Sequence, residues 1–333
     1  MQLIRTALTL ALACALAPAF APSAAALDGK LVHVKIVSAN VPGPVDLAIY
    51  TPPGYDPKRA EPYPLIVQLH GGGGSSQNMT TMAETLETAI EEGLVPASVS
   101  VMPSVGRSFY MDYRDGSQKW ETFIVSDLLA HMRAGYAVPK GREGTLITGI
   151  SMGGMGSLRI ALKHPDKFHA VAGMEPGIEP VLAYADIQTR DRFWRNNALF
   201  EEIYGKPVDA AYWAANNPAT IVTKDPARLK GLGIYLEAGD QDMFFLHHGT
   251  EFLHRALFDG GVSHEYRLVK GAEHTGPSIA PRVLDALTFF GRILDPPEWI
   301  SAPVTAARAR IDGMKTAGGY PITPHDPQTL RTE

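Results

Sequence analysis

The alternation of short β-type runs with helix-spaced segments over residues 27–295 predicts an α/β domain, with a mostly parallel central sheet and helices on both faces. Several of the β-type runs are apolar at consecutive positions, as strands buried beneath helices on both sides must be. Between them, apolar residues recur at three- and four-residue intervals. Hydrophobic residues make up 45% of the 333, and charged residues 20%, so the chain has ample material for a core and cannot be a disordered or collagen-like polymer.

Taken in order, the runs Leu31–Val37 and Val45–Tyr50 lie close enough to form an antiparallel hairpin at the sheet edge. Strand Leu65–Leu69 and helix Met79–Glu92 follow, then strand Ser98–Met102 and helix Trp120–Tyr136. Strand Thr145–Ile150, helix Gly154–His164 and strand Ala170–Met174 continue the rhythm. Residues 176–229 interrupt it: Phe193, Trp194, Phe200, Tyr204, Tyr212 and Trp213 stand among charged residues with no strand pattern. This stretch reads as a helical insertion whose aromatics either wall the substrate pocket as a candidate lid or simply pack onto the core. Strand Ile234–Glu237, helix Thr250–Phe258, strand Glu265–Val269 and helix Ile279–Leu294 complete the domain. After Pro296-Pro297, residues 296–333 lack periodicity and read as an extended C-terminal strap.

Residues 1–26 stand apart. A basic start at Arg5, an apolar stretch from Thr6 to Ala21 and the small residues Ser23-Ala24-Ala25-Ala26 are the parts of a secretory signal peptide cleaved near Ala26, which implies a secreted or periplasmic protein. Pro18 and Pro22 disfavour a spanning helix. The single cysteine, Cys14, leaves with the signal, so no internal disulfide can form; a lipid anchor there is the alternative, with Ala11 where such a signal wants Leu. Thirty Lys and Arg against 35 Asp and Glu give a net charge of −5, which argues against nucleic acid or an anionic membrane as the main partner.

The sharpest chemical signal is Gly149-Ile150-Ser151-Met152-Gly153, placed between a strand and a helix. That placement is what a Gly-x-Ser-x-Gly nucleophile elbow needs, because so tight a turn tolerates only small residues around the serine. A serine hydroxyl needs a base, and the base an orienting carboxylate; the α/β-hydrolase fold supplies them in the chain order Ser, acid, His. His274 follows the last strand and precedes the last helix, where a base would hang over the sheet's carboxyl edge. His164 and His254 fall within helices, and His264 sits at the wrong end of its strand. The loop after Ile234–Glu237 offers Asp242 as the acid, with Asp240 second and Glu273 a weaker third. An oxyanion hole would use the backbone N–H of Met152 and one from the run Gly71-Gly72-Gly73-Gly74, for which Gly72 is chosen and Gly71 or Gly73 are alternatives. His70 reads as a brace for this loop. No Gly-Lys-Ser/Thr follows the glycines, so a phosphate cradle is excluded. Adjacent His247 and His248 would diverge by about a third of a turn on a helix, and no metal or cofactor is expected.

Leu69-His70-Gly71-Gly72, Ser151-Met152-Gly153-Gly154, the turn Gly239-Asp240-Gln241-Asp242 and Gly271-Ala272-Glu273-His274 together resemble the putative-esterase family of α/β hydrolases. That family holds esterase D (S-formylglutathione hydrolase), feruloyl esterases and mycolyltransferases. Ser108-Phe109-Tyr110-Met111-Asp112 and Lys119-Trp120-Glu121-Thr122-Phe123 look like the mycolyltransferase branch. The resemblance covers most of residues 45–292 and implies a serine carboxylic-ester hydrolase, acting on acylated carbohydrates or small aromatic esters. Acyl transfer to a sugar or alcohol is the alternative, and a non-catalytic binding protein of the same fold is a third reading. Two features depart from the family: Thr275-Gly276-Pro277 replaces the aromatic that often follows the histidine, and residues 176–229 align with nothing familiar.

Overall fold

A computed structural model describes residues 27–192, 197–297 and 301–322. Residues 1–26, read above as a signal peptide with Cys14, and the aromatics Phe193 and Trp194 lie outside the described residues. Among the described residues eight strands form one sheet: β1 (Lys30–Val37), β2 (Pro44–Thr51), β3 (Leu65–Leu69), β4 (Val99–Pro103), β5 (Thr145–Ile150), β6 (Ala170–Met174), β7 (Gly233–Gly239) and β8 (Glu265–Val269). Their spatial order is β1-β2-β4-β3-β5-β6-β7-β8. Only β2 runs against its neighbours, pairing antiparallel with both β1 and β4, while β4, β3 and β5 to β8 pair in parallel. The edge hairpin and the α/β-hydrolase fold are therefore present. β3 and β4 are buried at every position, whereas β8 closes the far edge half exposed.

Helices α1 (Met79–Glu91) and α9 (Ile279–Leu294) cover one face, with Met79, Leu86, Leu287 and Phe290 packed on Ile66, Leu146 and Met174. The other face carries α2 (Trp120–Thr122), a π-turn (Phe123–Leu128), α3 (Leu129–Gly135), α4 (Met152–Lys163) and, later in the chain, α8 (Leu246–Asp259). The expected helix over residues 120–136 thus contains a stretch of wider winding, and α8 begins four residues before the expected Thr250. In the insertion, α5 (Asn197–Tyr204), α6 (Ala210–Asn216), α7 (Pro218–Lys224) and short 3-10 turns form, without a strand among the described residues. Phe200, Tyr204 and Trp213 are fully buried in the core, so these three pack rather than face a ligand.

The tail differs from the extended strap expected of it. α10 (Ala302–Ala317) is helical, with a proline at its start, Gly318 after its end and no buried residue. Alanine-rich propensity drives this helix; with no face to bury, it leaves no apolar stripe to read. Among the described residues no helix is long and apolar enough to cross a membrane.

Candidate active site

β5 delivers Ser151 into a turn with φ 61° and ψ −116°, a conformation non-glycine residues avoid at a cost of about 1–3 kcal/mol. The surroundings enforce it. Ser151 N donates to Met174 O at 2.9 Å, and Gly177 N donates to Ser151 O at 3.2 Å. A Cβ on Gly153 would stand 1.9 Å from Leu69 O, and one on Gly149 2.4 Å from the Gly153 carbonyl carbon. Both glycines are therefore required by contact, which is why the pentapeptide was readable.

The three residues picked from separate loops come together. His274 Nε2 lies 3.1 Å from Ser151 Oγ, and His274 Nδ1 lies 2.7 Å from Asp242 Oδ2. Asp242 is buried and also accepts from Phe244 N at 2.6 Å. The Phe244 ring meets the His274 imidazole edge-on, with centroids 4.6 Å apart. The loops carrying acid and base are packed on one another: Gln241 N donates to Ala272 O at 3.0 Å, and a Cβ on Gly239 would collide with that oxygen at 2.2 Å. Asp240 and Glu273 are occupied elsewhere. Asp240 Oδ1 accepts from Gly271 N at 2.7 Å, and Glu273 Oε1 from Met243 N and His274 N at 2.7 Å each. Both fasten the two loops; neither reaches the imidazole.

Met152 opens α4, so its N–H has no acceptor within the helix. The glycine run passes directly beside Ser151: a Cβ on Gly71 would sit 3.7 Å from Ser151 Cβ, while Gly72 and Gly73 face open space. His70 braces this loop from beneath, as its place in the sequence suggested. Its Nδ1 is 2.8 Å from Gly71 O, and its Nε2 accepts from Val105 N at 3.2 Å, which fixes the proton on Nδ1. Burial lowers its pKa, consistent with a neutral ring.

Comparison with known proteins gives the family. A family model described as Putative esterase matches residues 38–271. The chain belongs to that esterase family. The matched span holds Gly72, Ser151, Met152 and Asp242, and stops three residues short of His274. A diacylglycerol acyltransferase/mycolyltransferase of Mycobacterium leprae is 29% identical over 170 residues, 46% of this chain and 50% of that protein. S-formylglutathione hydrolase of Bos taurus is 25% identical over 272 residues, 74% of this chain and 88% of the relative. The matched stretch spans between 40% and 50% of the length of several curated relatives, including an acetyl esterase of Caldicellulosiruptor saccharolyticus. A solved ferulic acid esterase superposes with a TM-score of 0.66 at 20% identity, covering 80% of this chain and all of that one, a likeness of fold.

Sequence reading missed one feature of this esterase-family site. Glu175, fully buried at the end of β6 with φ 44°, has a carboxylate oxygen, Asp242 another and His274 a ring nitrogen all within 4.8 Å of one another. Glu175 Oε1 accepts from Gly239 N at 2.9 Å and from Arg282, whose guanidinium also grips Glu237 through two contacts of 2.7 Å. Glu175 Oε2 has no donor of its own. Burial, together with its hydrogen bond to Asp242, pushes the Glu175 carboxyl up to about 8 despite the pull of Arg282. Burial would also raise Asp242, but hydrogen bonds from His274 and Glu175 outweigh it and hold Asp242 down at about 2. One proton on Glu175, donated to ionised Asp242, satisfies both. Because His274 Nδ1 and Asp242 Oδ2 are already joined, the cluster's donors are committed to protons, and its geometry does not favour an ion. The only sequence signals were an acid directly after an apolar strand and an arginine, Arg282, on the apolar face of α9.

Proposed function

We propose that the protein is a serine carboxylic-ester hydrolase working through an acyl-enzyme on Ser151. The observation that carries this reading is the unbroken hydrogen-bonded line from Asp242 through His274 to Ser151 Oγ, at 2.7 and 3.1 Å. Ser151 Oγ attacks the ester carbonyl carbon as its proton passes to His274 Nε2, while Asp242 holds the Nδ1 proton and stabilises the imidazolium. The N–H groups of Gly72 and Met152 receive the oxyanion. Collapse breaks the C–O bond, and His274 gives its proton to the departing alcohol. Water, deprotonated by His274, then attacks the acyl-enzyme and releases the acid and free Ser151. No cofactor takes part. Export follows from residues 1–26 and is checked by the N-terminus of protein recovered from outside the cytoplasm.

Acyl transfer is the second reading, favoured by the likeness to a mycolyltransferase; an acceptor sugar or alcohol would replace water in the last step. The deciding experiment treats the protein and Ser151→Ala with a fluorophosphonate and records intact mass. A single adduct on the parent, absent from the variant, supports the activated serine, and no adduct on folded parent protein removes it. Turnover that rises with an acceptor alcohol and falls to a trace in water alone would favour the transferase.

A further inference from the structure

A cavity of about 410 Å³ opens at Ser151, His274 and Gly72 and extends between the sheet and helices α1 and α9. Its size sits at the lower end of the range for pockets that enclose a small organic ligand. The walls beyond the mouth are apolar, with Met82, Met174, Val283, Leu287 and Phe290 prominent among them. Among the described residues no lysine, arginine, aspartate or glutamate lines the cavity. Among its polar side chains, Gln68 and Thr148 spend their donors within the sheet: Gln68 Nε2 on Ser100 Oγ and Thr148 Oγ1 on Ala172 O, each at 2.9 Å. A charged acyl group would find no countercharge here. A phenolic one would bury its hydroxyl against mostly apolar walls. Methionine walls adapt to a flexible chain at little cost.

We propose that this cavity is the acyl pocket, and that the preferred substrates are esters of unbranched, medium-length aliphatic acids rather than acetate or hydroxycinnamates. With the acyl carbon on Ser151 Oγ, the chain passes between the glycine loop and the His274 loop and lies along α9. This deepens the hydrolase reading and rests on it. The position of the cavity also assigns acyl selection to α1 and α9 rather than to the insertion, since no described residue of 176–229 lines it.

The test measures kcat/KM on a series of p-nitrophenyl esters from acetyl to dodecanoyl, with a feruloyl ester alongside. The value should rise roughly fourfold per methylene while the pocket fills, on the order of 10²-fold from butanoyl to octanoyl, then fall. Ala286→Phe and Met82→Phe, which narrow the cavity from opposite helices, should lower the octanoyl-to-butanoyl ratio by at least about tenfold, with melting curves showing that each variant is folded. A best substrate of acetyl with steady decline thereafter, or a feruloyl ester preferred over octanoyl, would overturn the pocket while leaving the hydrolase intact. Absence of turnover on every ester together with absence of fluorophosphonate labelling would overturn the hydrolase itself, and this proposal with it.

Discussion

Replacing Asp242 by asparagine tests the site at the point where geometry and protonation meet. The wild-type carboxylate accepts from His274 Nδ1 at 2.7 Å and from Phe244 N at 2.6 Å, beside the proton it shares with Glu175. An asparagine can keep its oxygen on Phe244 N, but it then presents an NH₂ to the imidazole. Nδ1 must become the acceptor, so the neutral ring carries its proton on Nε2. That nitrogen faces Ser151 Oγ at 3.1 Å and can no longer take the serine's proton. A wrong tautomer in an otherwise intact triad costs about 10⁴ in kcat, or roughly 5 kcal/mol of barrier. Asp240→Asn touches only Gly271 N and the Gln241 amide, and should stay within about threefold of the parent. Stopped-time hydrolysis of an activated ester at pH 8, with active sites counted by fluorophosphonate, gives both numbers on one scale. Asp242→Asn retaining a tenth of the parent rate, or Asp240→Asn losing as much as its neighbour, would refute this assignment of the acid.

Glu175→Gln should preserve most activity, because the amide donates to Asp242 where the protonated carboxyl did, whereas Glu175→Ala should lower kcat by at least about tenfold. The same pair reads pH. The Glu175 carboxyl is raised from 4.5 to about 8 by folding, so its contribution to stability is complete below the lower value and is lost as pH rises through the upper one. Glu175→Gln should therefore gain in Tm relative to the parent between pH 5 and pH 9, and a constant difference would contradict the shared proton. Gly153→Ala places a methyl 1.9 Å from Leu69 O and should cost more than about 3 kcal/mol or yield insoluble protein, seen by urea unfolding or expression. Glu121→Gln leaves Arg159 buried without its counter-ion on α2, and should cost about 3–5 kcal/mol by urea midpoint while the elbow itself is untouched.

The sheet was legible because its strands, buried on both faces, are runs no solvated segment tolerates, and Leu65–Leu69 and Ala170–Met174 end where the sequence places them. The elbow was legible because backbone contacts at Gly149 and Gly153 forbid any side chain, which leaves a fixed spacing in the sequence. Glu175 was not. Its partners reach it through the pairing of Met174 with Glu237 across β6 and β7 and through Arg282 on α9, 107 residues further along the chain. Such a contact has no local spacing to announce it. The cavity under Ser151 was equally invisible, since Met82 on α1 and Val283, Leu287 and Phe290 on α9 read as core whether or not a space is left beside them. The tail helix escaped for the opposite reason, having no core to face.

The half-exposed edge strand β8 has a consequence for how the protein would fail. The nucleophile hangs from β5, fourth strand from that edge, while the histidine hangs directly from β8 and the aspartate from β7 beside it. Edge elements open with smaller free energies than central ones. Fraying of β8 would carry His274 away from Ser151 while the central strands stayed paired. Heat would then silence the enzyme reversibly, below the temperature at which its secondary structure melts, and cooling would restore turnover without refolding the domain.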